Sequence, residues 1–180
     1  MLIISQNLVK YRMPFPKGTI YRINLAWINN INELVKILKQ HENQPIFLDL
    51  PIGRVKPPNN KYSMEDLVPL IESYKQIKYF AISNVESPDD MSRHLRLLPN
   101  IIIVPKIESP AGINNIKEIT DSLRDPKMVM LDHDDLYRVL ERKNEASSKF
   151  TIYIDKLVDF CKKNNITLLR TRGVIFSDET

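Results

Sequence analysis

Two charged residues, Lys106 and Glu108, follow an apolar segment in the middle of the chain. If the predicted strand continues to Glu108, positions two apart place both side chains on the same face of a sheet. Further along, the apolar segment Met128–Leu131 runs into an acidic stretch that ends at Asp135. Because parallel strands of an α/β fold gather their carboxyl ends at one edge, we expect Glu108 and Asp135 to meet there.

These residue types suit chemistry that uses a divalent cation. Mg²⁺ prefers carboxylate oxygens, usually takes one or two of them, and leaves other positions for water and substrate. Glu108 and Asp135 are therefore the predicted ligands of Mg²⁺, with Mn²⁺ as the alternative ion. Asp132 and Asp134, in the same acidic stretch, are expected to cap a helix. Lys106 would place a positive charge beside a developing enolate or phosphoryl oxygen.

The elements that must position these residues are short β-branched segments that alternate with helical stretches, a pattern typical of parallel α/β folds. Seven strands are predicted: Leu2–Ser5, Thr19–Leu25, Ile46–Leu50, Tyr79–Ser83, Ile101–Lys106, Met128–Leu131 and Ile166–Arg170. Residues 173–180 are a candidate eighth strand. The predicted helices cover Asn30–Gln40, Ser87–Leu97, Pro110–Leu123, Asp134–Asn144 and Phe150–Lys163. We expect one domain over residues 1–180.

Two connections are abnormal for a complete barrel. Residues 6–18 carry Pro14, Pro16 and Gly18 without helical periodicity, so the first crossover helix is weak or missing. Residues 166–176 leave no space for a helix between two parallel strands. The sequence therefore predicts a reduced or incomplete TIM-type (β/α) barrel. Its exposed strand edges favour a homodimer or a place in a larger complex.

Composition excludes several classes of protein. The chain is 43% hydrophobic and 27% charged, as expected of a globular protein. Its net charge of +4 comes from basic residues scattered among acids, so we do not expect a nucleic-acid partner. No apolar run approaches the roughly 18 residues of a membrane span, and a membrane partner is not expected either. The single cysteine, Cys161, excludes an intrachain disulfide and favours the cytoplasm.

Five segments, taken in chain order, resemble the catalytic barrel of pyruvate kinase. They are Tyr21–Trp27, Phe47–Lys56, Tyr79–Ser83, Lys106–Glu108 and Asp134–Leu136. The resemblance implies a barrel of the phosphoenolpyruvate/pyruvate-binding type. It also implies a Mg²⁺-dependent enzyme that acts on phosphoenolpyruvate, pyruvate or a related 2-keto acid through an enolate.

The same resemblance implies a role for individual residues. Glu108 and Asp135 would bind the divalent metal, and Lys106 would serve the phosphoryl and enolate oxygens. Arg22 and Thr171 would contact the substrate. Asn24 and Asp49 would contact a monovalent cation.

This sequence also departs from the pyruvate kinase pattern. Ala26 and Trp27 replace a serine and a histidine, so one ligand for potassium is missing. Residues 57–62 stand where that family inserts a whole lid domain. His133–Asp134 replaces an arginine and a glycine.

Two alternatives therefore stay open. The missing lid favours a 2-keto-acid aldolase or lyase resembling the citrate lyase β-subunit, whose barrels also present a glutamate and an aspartate on successive strands. Ala26 and His133–Asp134 favour a non-catalytic binding or scaffolding subunit derived from pyruvate kinase.

Overall fold

The computed structural model describes residues 2–5, 16–52 and 61–170. This part of the chain contains seven strands: β1 (Ile3–Ser5), β2 (Ile20–Asn24), β3 (Ile46–Leu50), β4 (Ile77–Ile82), β5 (Ile102–Ile107), β6 (Met128–Leu131) and β7 (Thr167–Arg170). Its helices are α1 (Ile31–Gln40), α2 (Met64–Ser73), α3 (Asp89–Leu97), α4 (Pro110–Asn114), α5 (Ile116–Asp121), α6 (His133–Arg142) and α7 (Ser148–Lys163). A 3-10 helix, Leu25–Trp27, follows β2 directly.

The strands form one sheet in the order β1-β2-β3-β4-β5-β6-β7, and every neighbouring pair is parallel. Each strand therefore lies beside the next strand in the sequence, and the connections between them return the chain to the same starting edge. All seven predicted strands are confirmed, although several bounds shift by one or two residues. The carboxyl ends of the strands share one edge of the sheet, where the candidate site lies.

The predicted reduced TIM-type barrel of the phosphoenolpyruvate/pyruvate-binding type is wrong. The chain forms a single curled parallel sheet with helices. Among the described residues, β1 pairs with β2 alone and β7 with β6 alone, so the two end strands are edges. Alternating strands and helices dictate parallel pairing, but the same alternation suits an open sheet equally well. Closure needs a further ladder between the end strands, which no local pattern specifies.

Side chains alternate between the two faces of the sheet and form two apolar layers. One layer joins strand residues such as Ile23, Leu48 and Phe80 to the helices. The other consists of strand residues alone, and we call it the inner face: Ile3, Ile20, Phe47, Tyr79, Ala81, Ile102, Val104, Met128, Met130 and Leu169. Several inner-face side chains, among them Phe47 and Val104, are fully buried. In the part of the chain that the structure describes, strand residues of the curled sheet therefore bury one another's side chains on this face, and no helix residue belongs to the layer.

Polar side chains at the helix starts explain where the helices begin. Asn30 caps α1, and Ser63 forms a reciprocal capping box with Asp66 at α2. Ser109 and Asp132 cap α4 and α6. The predicted helix Pro110–Leu123 is two helices, α4 and α5, which meet at Asn115.

Some predictions fall outside the described residues. They include Thr171, the candidate eighth strand at 173–180 and most of the irregular connection at 6–18. No helix in residues 2–5, 16–52 and 61–170 combines the length and the apolar character needed to cross a bilayer.

Candidate metal centre

Three carboxylates meet at the carboxyl edge of the sheet. Glu108 follows β5, Asp132 follows β6, and Asp135 lies in the first turn of α6. One ligand oxygen from each residue lies within 4.8 Å of the others, which is close enough for all three to hold one metal ion. The predicted pair of Glu108 and Asp135 is therefore brought together, and Asp132 joins it.

Glu108 is 2% exposed, and its two oxygens have different surroundings. Oε2 accepts a hydrogen bond of 2.8 Å from the backbone N–H of Asn84. Oε1 lies 2.8 Å from Nζ of Lys106 but has no aligned hydrogen bond to any of the described residues. Burial raises the pKa of this carboxyl, while the attraction of Lys106 partly opposes the rise. A buried carboxylate oxygen without an aligned donor is suited to a cation.

Lys106 is 5% exposed and contacts three groups on the inner face. Its Nζ donates a 3.1 Å hydrogen bond to Oγ of Ser83 and lies 3.8 Å from Oδ1 of Asp49, in addition to its contact with Glu108. Burial by itself would lower the pKa of Lys106, but the negative charges of Asp49 and Glu108 outweigh it and raise the pKa. Lys106 is therefore a fixed positive charge at neutral pH.

Asp49, which is fully buried, connects Lys106 to Arg22. Nε of Arg22 donates to Oδ2 of Asp49 at 3.1 Å, and a terminal nitrogen of the same guanidinium contacts the same oxygen. Arg22 keeps 19% of its side chain exposed. Asn24 pairs in register with Asp49, and its Oδ1 accepts a 3.0 Å hydrogen bond from the backbone N–H of Ala26. The role of Asn24 and Asp49 toward a monovalent cation stays a prediction.

Asp132 is both the cap of α6 and a member of the carboxylate cluster. As expected, it caps α6: its Oδ1 accepts a 3.3 Å hydrogen bond from the backbone N–H of Asp135. It also belongs to the carboxylate cluster. The signal that would have revealed this is the period of two residues through Met128 and Met130, which places Asp132 on the inner face.

The same alternation extends the inner face into a row of polar groups. A polar residue stands two positions after an apolar inner-face residue in three strands or strand ends: Asp49 after Phe47, Ser83 after Ala81, and Lys106 after Val104. Ser83 and the backbone of Asn84 were not predicted as site groups. An apolar inner face therefore ends in a charged site at its carboxyl edge.

The comparisons with known proteins bear on the fold. No family model matches the chain, and no curated protein matches it. Among solved structures, the chain is similar to RipC from Yersinia pestis, with a TM-score of 0.63 and 15% sequence identity over 98% of this chain and 77% of RipC. At this identity the similarity establishes a shared α/β fold and carries no statement about activity.

Proposed function

We propose that this protein is a Mg²⁺-dependent enzyme that acts on phosphoenolpyruvate, pyruvate or a related 2-keto acid through an enolate. The observation that carries the proposal is the contact of the Lys106 ammonium with Glu108, which belongs to the carboxylate cluster with Asp132 and Asp135. A fixed cation next to carboxylates that could hold a divalent ion would stabilise the negative oxygen of an enolate. The sequence resemblance to pyruvate kinase supports the same reaction.

The chemistry of an enolate explains why each charge is useful. When a base takes a proton from the carbon next to a keto group, the electron pair of the C–H bond forms a C=C bond and negative charge moves onto the keto oxygen. A divalent ion held by Glu108, Asp132 and Asp135 would act as a Lewis acid toward the substrate oxygens. Lys106, which is buried and already charged, stabilises the developing oxyanion without reorganisation of solvent.

Arg22 is the residue suited to the carboxylate or phosphate of the substrate. Asp49 holds its guanidinium through Nε and one terminal nitrogen, which fixes the direction of the group. A guanidinium has five N–H donors, and its planar shape matches carboxylates and phosphates. The part of Arg22 that remains exposed would therefore face a substrate anion.

A second candidate, an aldolase or lyase acting on a 2-keto acid, is favoured by one connection. Residues 51–63 are the whole link between β3 and α2, so this link has no room for a lid domain that would close over a nucleotide. Cleavage of a carbon–carbon bond through an enolate needs the same metal and cation but no nucleotide.

Cys161, a buried free cysteine, is consistent with a reducing cytoplasm as the proposed location.

Exchange of the methyl protons of pyruvate for deuterium, followed by proton NMR in D₂O, tests the proposal without knowledge of the second substrate. We expect exchange that depends on both the protein and Mg²⁺ and that Glu108→Gln abolishes. Asp134→Asn is the matched control, because Asp134 is exposed and outside the cluster. A methyl signal that decays no faster than in protein-free solution, with Mg²⁺ or Mn²⁺ present, would contradict an enolate-forming enzyme and favour a scaffolding subunit.

A further inference from the structure

Asn84, which follows β4, has a backbone conformation that few residues adopt. Its φ of 55° lies in the left-handed region, which asparagine tolerates better than most residues. This conformation directs the backbone N–H of Asn84 toward Glu108, where it donates to Oε2 at 2.8 Å. The backbone conformation of Asn84 therefore acts directly on Glu108, a carboxylate of the cluster.

Neighbouring elements fix this loop on several sides. Nδ2 of Asn84 donates to the carbonyl of Ile52 at 2.6 Å, and the N–H of Val85 donates to the carbonyl of Lys106 at 3.2 Å. Gly112 in α4 packs so closely that an added Cβ would lie 2.5 Å from the carbonyl oxygen of Val85. The Asn84 N–H is therefore held in place by contacts after β3, by β5 and by α4.

The hydrogen bond limits how Glu108 can bind a metal ion. Oε2 accepts the hydrogen bond from the N–H of Asn84, whereas Oε1 has no aligned donor among the described residues, so the carboxylate offers one oxygen, Oε1, to an ion. Ca²⁺ takes six to eight oxygen ligands and commonly uses bidentate carboxylates, whereas Mg²⁺ accepts one oxygen from each carboxylate. Ligand oxygens within 4.8 Å of one another do not by themselves select Mg²⁺, since two oxygens bound to Ca²⁺ at roughly 2.4 Å each can lie as far apart as that.

We propose that Asn84 is a positioning residue that restricts Glu108 to single-oxygen coordination and thereby makes the centre prefer Mg²⁺ over Ca²⁺. This inference rests on the proposed metal-dependent function. It adds a determinant of metal choice that lies in the backbone of a loop rather than in a ligand. Residues that orient metal ligands typically change metal affinity by about 10–100-fold when they are substituted.

The test compares three substitutions at one position. Asn84→Gly keeps access to the left-handed region, whereas Asn84→Ala disfavours it and Asn84→Val disfavours it more strongly. All three substitutions remove the side-chain hydrogen bond to Ile52. Because this loss is common to them, the comparison reports their different backbone preferences. Asn165→Val is the matched control, because Asn165 also has a positive φ, 54°, but lies at the end of α7.

Calorimetric titration with Mg²⁺ and with Ca²⁺, on proteins whose folding is checked by circular dichroism, gives the ratio of the two dissociation constants. We expect the preference for Mg²⁺ to be retained in Asn84→Gly, reduced in Asn84→Ala, and reduced on the order of tenfold in Asn84→Val. Asn165→Val should lose stability and keep the wild-type ratio. If Asn84→Val does not fold, the comparison between alanine and glycine decides the question.

Two results separate the failure of this inference from the failure of the proposed function. A wild-type protein that binds neither ion would overturn both. A wild-type protein that binds Mg²⁺, with an unchanged ratio in the Asn84 variants or an equal fall in Asn165→Val, would overturn the role of Asn84 alone.

Discussion

Oδ1 of Asp49 lies 3.8 Å from Nζ of Lys106 while Oδ2 of Asp49 accepts from Arg22, so one fully buried carboxylate serves two cations. Asp49→Asn would leave Lys106 buried with less compensating negative charge. Breaking a buried ion pair by removing one partner typically costs about 3–5 kcal/mol. We expect a loss of that order in the free energy of unfolding, measured by urea denaturation.

The control for Asp49 is an exposed ion pair. Asp121→Asn removes the partner of Lys117 on the surface of α5, where water screens both charges, and should change stability little. Equal urea midpoints for the two variants would show that Asp49 does not stabilise the fold through its charge.

Loss of any one cluster carboxylate should abolish divalent-metal binding. We expect Glu108→Gln, Asp132→Asn and Asp135→Asn each to remove the Mg²⁺ signal in calorimetry, because in the proposed centre all three carboxylates would share the ion. The fold should persist in Asp132→Asn, since asparagine caps a helix about as well as aspartate. Asp134→Asn should bind Mg²⁺ normally, and unchanged Mg²⁺ affinity in Glu108→Gln and Asp135→Asn would end the proposed metal centre.

Lys106→Met should affect the rate more than binding. The charge of Lys106 is assigned to an oxyanion that develops in the transition state, so we expect the maximal rate of pyruvate deuterium exchange to fall on the order of 10²-fold or more. The pyruvate concentration that gives half the maximal rate should change much less. Equal losses in both parameters would identify Lys106 as a group that binds the ground state.

His94 should make the protein less stable in mild acid. It is 9% exposed and lies against the ring of Phe80, and burial lowers its pKa, with a further contribution from the charge of Arg93. The unfolded chain takes up a proton near pH 6.5, whereas the folded chain does so only at lower pH. The unfolded state therefore binds more protons between the two pKa values, and stability falls as pH drops through that window.

The free energy of unfolding, measured by urea at several pH values from 7.5 to about 5, checks this prediction. His94→Gln should show a shallower decrease than the wild-type protein. A residual slope is expected, because burial and Arg170 also lower the pKa of His133. Identical slopes for the two proteins would contradict the assignment to His94.

The edges of the sheet predict association. In the described part of the chain, β1 and β7 each pair on one side only, which leaves backbone N–H and C=O groups available to another strand. We expect a homodimer or a subunit of a larger complex at micromolar concentration. Light scattering checks this, and a single species near 21.0 kDa would contradict it.

The strands could be predicted because local sequence determines them. Met128–Leu131 is wholly apolar and Ile46–Leu50 is apolar except for Asp49; both strands are buried along their length, and their predicted bounds equal those in the structure. Closure of the sheet could not be predicted, since it depends on the curvature summed over all strands. Helix α2 was not predicted although Ser63 and Asp66 form a capping box, because Pro69 interrupts the helical pattern.

The site was predicted to the extent that it follows the period of a strand. Lys106 and Glu108 share a face for that reason, and the structure places their charged atoms 2.8 Å apart. The sequence favours a capping role for Asp132 because a cap is recognised from neighbouring residues. Its place in the carboxylate cluster depends on tertiary structure, which the local sequence does not show. The left-handed conformation of Asn84 depends on contacts with three other elements, and no pattern around residue 84 encodes them.

The order of the strands in the sheet has a consequence for the newly made chain. Since a nascent polypeptide leaves the ribosome amino end first, each strand emerges when its predecessor is already available as a template. Glu108 thus emerges before Asp132 and Asp135, and the carboxylate cluster is complete only when α6 has docked. If the sheet assembles during translation, most of its strands would be paired before Asp132 and Asp135 reach their positions. The ion would therefore bind to a sheet that has already formed.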